Sequence, residues 1–94
     1  MGWDNTLMAF VDLLIQKNML SNYKDFYVTR NDIVLVTGLS EPAVTNNLSV
    51  CVRDGWLRRV EINNGFGREV RYYISNNELI SFVNKFLRWY EYGV

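Results

Sequence analysis

Between positions 53 and 71 the chain sets five arginines, Arg53, Arg58, Arg59, Arg68 and Arg71, among only three acids, Asp54, Glu61 and Glu69. Just before them, a run with helical spacing carries Ser40, Thr45, Asn46, Asn47 and Ser49. Guanidinium groups pair with phosphate oxygens, and Asn amides are suited to bidentate hydrogen bonding with the edge of adenine. Ser and Thr hydroxyls can serve bases or phosphates. The chemistry these residues offer is recognition of a polyanion, not the making or breaking of bonds.

Charge balance tempers that reading. The chain of 94 residues has ten basic and ten acidic side chains and a net charge of zero. Residues 1–52 contain three basic residues (Lys17, Lys24, Arg30) against five acids, and residues 72–94 balance. The positive charge is therefore local, at the end of one element and along the next two.

Catalysis finds few candidates. There is no histidine to act as a base, the Ser and Thr residues lack an evident activating partner, and the carboxylates are scattered. Gly65-Phe66-Gly67 lacks the third glycine of a dinucleotide fingerprint and reads as a hairpin turn. A single cysteine without histidine excludes an internal disulfide framework and the usual zinc ligand sets. Cys51 itself falls on the apolar face of its helix and reads as a small core residue rather than a redox sensor. Asn47-Leu48-Ser49 fits a glycosylation pattern and Met1-Gly2 with Thr6 an N-myristoylation pattern; the helix around the first, and Trp3 and Asp4 in the second, make both poor matches. The expectation is a protein with no enzymatic activity, cofactor or metal.

The elements that must position these residues are legible in order. A first helix is expected from a cap at Asp4 or Asn5 to about Asn18, with Leu7, Phe10, Val11, Leu14 and Ile15 on one stripe. A polar-aromatic connection follows, with Tyr23, Phe26 and Tyr27 packing on the core. Thr29 and Asp32 form a capping box before the apolar run Ile33–Val36, and Gly38 ends that helix. Ser40 caps the next, with Pro42 in its first turn and Val44, Leu48 and Cys51 inward; Val52 and Trp56 extend that face. Asp54-Gly55 closes it. Trp56–Glu61 and Glu69–Ile74 read as strands joined by a hairpin loop, Asn63–Gly67. Asn76-Asn77 can cap a last helix to about Tyr92, whose apolar positions, Leu79, Ile80, Phe82, Val83, Phe86, Leu87, Trp89 and Tyr90, cover more than one face.

The run from Thr29, with Asp32-Ile33, Thr37-Gly38-Leu39-Ser40, Val44, Leu48 and Asp54-Gly55-Trp56-Leu57-Arg58-Arg59, then a hairpin ending Arg68-Glu69-Val70-Arg71-Tyr72-Tyr73-Ile74-Ser75, resembles winged helix-turn-helix transcription regulators of the MarR type. It also resembles the DNA-binding domains of plasmid and phage replication proteins. The resemblance covers about half the chain. It implies an α+β, mainly α, fold of order α-α-α-β-β-α with an added C-terminal helix, in one domain spanning 1–94. A short early strand between the first two helices would be compatible with it. The helix-turn-helix would occupy about 29–54, the wing about 56–74 and a dimerisation helix about 77–92.

That resemblance gives the residues roles. Ser40, Pro42, Thr45, Asn46, Asn47, Ser49 and Arg53 would form the recognition helix surface, with Ser40 and the helix N-terminus holding a phosphate and Arg53 with Arg58 or Arg59 clamping others. Asn63, Asn64, Phe66 and Arg68 would lie along the minor groove; Phe66 could wedge at a base step or fold back on Trp56 or Tyr72. Strand alternation lets only about half of the arginines face DNA, with Arg68 and Val70 opposite Glu69 and Arg71. Phe82, Phe86, Trp89 and Tyr90 would form the interface of a homodimer. The expected partner is double-stranded DNA and the expected role transcriptional regulation, as a repressor, in the cytoplasm, with no membrane association. Glu41 at the start of the reading helix repels phosphate, so two alternatives stay open: a winged-helix protein-interaction module, and a plasmid or viral replication or maintenance protein.

Overall fold

The computed structural model describes the backbone of residues 2–81 and the side chains of residues 5–81. The first helix, α1, runs Gly2–Gln16. Asp4 and Asn5 thus lie inside α1 rather than capping it. Phe10, Val11 and Leu14 are buried, but Ile15 stands 36% exposed at the edge of the stripe. The chain leaves α1 through Asn18, which takes a left-handed conformation (φ 55°). After a 3-10 turn, Leu20–Asn22, it forms a short strand, β1, Tyr27–Val28.

Helix α2, Arg30–Thr37, begins with the capping box in full: Thr29 Oγ1 accepts from the Asp32 N–H at 3.3 Å and Asp32 Oδ2 accepts from the Thr29 N–H at 2.8 Å. It ends at Gly38, whose φ of 71° lies in the left-handed region and whose N–H donates to the Val34 carbonyl. Of the apolar run only Ile33 is buried; Leu35 is 75% and Val36 42% exposed, because so short a helix turns one face to the core. Helix α3, Glu41–Arg53, starts three residues later, with Ser40 Oγ accepting from the Ala43 N–H. Its inward face is Val44, Leu48 and Cys51, all fully buried. Asp54 caps it and Gly55 turns the chain at φ 83°.

Strands β2, Leu57–Asn64, and β3, Gly67–Ile74, pair antiparallel from Leu57↔Ile74 to Asn64↔Gly67. The pairing extends further than sequence composition suggests. Asn63 and Asn64 belong to β2, and only Gly65-Phe66 forms the loop, closed by the Phe66 N–H donating to Asn64 Oδ1 at 2.9 Å. Strand β1 joins the other edge of β3, through Tyr27↔Tyr73 and Val28↔Tyr72, giving the order β1-β3-β2. A further helix starts at Asn77, capped by Asn76 Oδ1 accepting from the Glu78 N–H, and is described through Ser81.

One core joins these elements. Leu7, Phe10 and Leu14 of α1 meet Ile33, the inward face of α3, Val28, Leu57, Tyr72 and Leu79, and Phe26 packs edge-to-face on Phe10 with ring centroids 5.3 Å apart. Tyr27, expected on this core, is 36% exposed on the outer face of the sheet, since alternation sends Phe26 and Val28 inward. Three helices, a tight turn between α2 and α3, and a hairpin projecting beside α3 constitute a winged helix.

Candidate nucleic-acid interface

Helix α3 is amphipathic, so burying Val44, Leu48 and Cys51 forces the opposite arc outward. Glu41, Pro42, Thr45, Asn46, Ser49 and Arg53 are exposed, while Ala43, Asn47 and Val50 are half-buried on the flank. The hairpin stands beside this arc. An open groove of about 810 Å³ runs between them, lined on the α3 side by Glu41, Thr45, Ser49, Val52 and Arg53. Arg59, Arg68, Glu69, Val70 and Tyr72 line the hairpin side, and Thr29, Arg30 and Asn31 of the α2 N-terminus complete it.

Sheet register decides which arginines reach the groove. Leu57, Arg59, Glu61 and Asn63 share a face with Arg68, Val70, Tyr72 and Ile74, the face whose root is packed on the helices. Arg58 and Arg71 are on the other face, where Arg58 lies over the Tyr73 ring at 5.0 Å and Arg71 over the Tyr27 ring at 4.2 Å. Of the adjacent pair Arg58-Arg59, Arg59 is therefore the one that borders the groove. Ion pairs shape both faces: Arg59 Nη2 lies 2.8 Å and Arg68 Nη1 3.6 Å from the same oxygen, Oε1 of Glu61, and Arg71 Nη2 lies 2.9 Å from Glu69 Oε2. The hydrogen bond to Glu61 raises the Arg59 pKa above its ordinary value, and bonds to Tyr73 and Glu69 do the same for Arg71. Arg53 pairs loosely with Asp54 at 3.4 Å and keeps most of its side chain in solvent.

The sequence-predicted residues thus separate. Thr45, Ser49, Arg53 and Arg68 come together around the groove. Pro42 and Asn46 are exposed on the same outward arc but do not line it, and Asn47 is half-buried. The Ser40 oxygen is engaged in its cap and Ser49 Oγ donates to the Thr45 carbonyl at 3.0 Å. Asn63, Asn64 and Phe66 are exposed at the hairpin tip; Phe66 is 102% exposed, so it does not fold back on Trp56 or Tyr72. Phe82, Phe86, Trp89 and Tyr90 lie outside the described residues. Sequence reading missed Thr29, Arg30 and Asn31, whose only signal is the capping box that fixes where α2 begins. Among the described residues no three His, Cys, Asp or Glu side chains converge as metal ligands, and no helix is long and apolar enough to cross a membrane.

Comparison with solved structures finds the same fold in a protein described as a transcriptional regulator of the MarR family from Enterococcus faecalis V583. The two align with a TM-score of 0.59 over 93% of this chain and 81% of that one, at 14% sequence identity. No family model and no curated protein matches the sequence. The likeness supports the winged-helix fold that the described elements show.

Proposed function

We propose that this protein binds double-stranded DNA through α3 and the hairpin, and that it acts as a transcriptional regulator. The observation that carries the reading is the groove, where the outward arc of α3 and the inner face of the wing bring Arg53, Arg59 and Arg68 alongside Thr45 and Ser49. In this arrangement the N-terminal part of α3 enters the major groove, with Asn46, Thr45 and Ser49 at base edges. Arg53, Arg59 and Arg68 hold the phosphates that pass between helix and wing. Phe66, with Asn63 and Asn64, extends along the neighbouring minor groove, where an uncovered ring can press on sugars or a base step. The fold shared with a protein described as a MarR-family regulator supports the regulatory role.

The reading includes a homodimer, supported by the surplus of apolar residues among Phe82, Phe86, Trp89 and Tyr90. Two copies of α3 would then meet half-sites about 34 Å apart, one turn of duplex, and bound protein would repress by excluding polymerase. Selection from a random duplex library at two salt concentrations tests the reading. An enriched palindrome that survives the higher salt supports it, with Asn46→Ala weakening the selected site more than random sequence. Binding that enriches nothing and disappears with salt contradicts it. One observation favours a second reading, a protein-interaction module: Met8, Leu35 and Val36 expose apolar surface away from the groove. The same selection separates the two, because a protein-interaction module enriches no sequence.

A further inference from the structure

We propose that Arg59 and Arg68 form a seat for one backbone phosphodiester and that Glu61 occupies this seat in the free protein, a proposal that rests on the DNA-binding reading above. Two guanidinium groups from different strands converge on a single anionic oxygen, Glu61 Oε1, at 2.8 Å and 3.6 Å. A phosphodiester oxygen held by two arginines takes the same arrangement. Both arginines line the groove beside α3, and strand alternation puts all three side chains on its side of the sheet. The side chains are 43%, 61% and 38% exposed for Arg59, Arg68 and Glu61, so solvent weakens the internal pair and an incoming anion can reach it.

The consequence is selectivity. When a phosphate enters, the arginines leave the carboxylate, and Glu61 remains beside the phosphate as a like charge. Backbone attraction alone is therefore blunted, and stable binding depends more on base contacts from α3. The Arg71–Glu69 pair is a contrast, because its guanidinium is also stacked on Tyr27 on the far face and is not presented to the groove.

The test is salt-dependent binding of a fluorescein-labelled random-sequence duplex by the full chain, as wild type, Glu61→Gln, Asp12→Asn and the Arg59→Ala/Arg68→Ala pair with and without Glu61→Gln. Asp12, exposed on α1, controls for the loss of one negative charge. Glu61→Gln should bind roughly three- to tenfold tighter at low salt, with a salt slope steeper by about one. Asp12→Asn should change little, and Glu61→Gln should gain nothing once both arginines are gone. Unchanged or weaker binding by a folded Glu61→Gln protein, or a gain that persists without the arginines, overturns the seat while leaving DNA binding intact. If neither wild type nor Glu61→Gln binds duplex, the DNA reading fails, and thermal melting with pyrophosphate still decides the seat. Stabilisation of Glu61→Gln beyond wild type supports it; equal shifts overturn it.

Discussion

The root and the tip of the β2–β3 hairpin are built from the same two strands in one register, yet they are held by different forces. At the root, Leu57 is 2% and Tyr72 9% exposed, and Val28 of β1 closes the layer beneath the helices. At the tip, Asn63, Asn64, Phe66 and Arg68 are all exposed, and among the described residues no helix lies over them. Order there comes from the backbone ladder, a two-residue turn closed by Asn64, and exposed ion pairs such as Arg59–Glu61, each worth only ~0–1 kcal/mol. A fully exposed phenylalanine contributes nothing to such a tip. The root is shaped by folding; the tip's side chains are left in solvent, where the proposed reading gives them a use on DNA.

Substitutions can break that contrast. Leu57→Ala at the root should lower stability by about 2–5 kcal/mol in urea titration, through lost burial and the cavity left behind. Phe66→Ala at the tip should stay within about 0.5 kcal/mol of wild type; a large loss would mean that the tip is part of the core. Gly38→Ala should cost about 1 kcal/mol in the same titration, because its left-handed φ of 71° disfavours any side chain although no atom lies within 4 Å of the added carbon. That result sharpens the comparison by placing a second conformational requirement in the turn, away from both ends of the wing.

The two faces of the wing give a finer division. Arg68→Ala should weaken duplex binding and reduce the magnitude of its salt slope by about one. Arg71→Ala should leave affinity unchanged and lower stability only slightly in urea titration, by removing the guanidinium stacked on Tyr27. Equal effects on DNA binding would erase the distinction between the faces.

Where an element is set by local chemistry, the sequence announces it. The Thr29–Asp32 box, Gly38, and Ser40 with Pro42 each act within a turn of their own position, and all stand where their residue types predict. The short strand β1 was compatible with the resemblance and is present. Features set by distant partners were less legible. Asn63 and Asn64 have loop-forming composition, but opposite Arg68 and Gly67 they complete a ladder whose length only β3 determines. Ile33–Val36 is uniformly apolar, and which member is buried depends on where α1 and α3 pack. Arg58 and Arg59 are indistinguishable by type. Alternation assigns them to opposite faces, but only the packing of the helices says which face borders the groove.

The most direct test of the central claim is a two-dimensional amide NMR titration of the protein with duplex DNA. The account predicts that the largest shifts fall on Thr45, Ser49, Arg53, Arg59, Phe66 and Arg68, with Tyr27, Tyr73 and Arg71 on the opposite face little changed. Shifts concentrated on that opposite face, or around Met8 and Val36, with the groove silent, would contradict it.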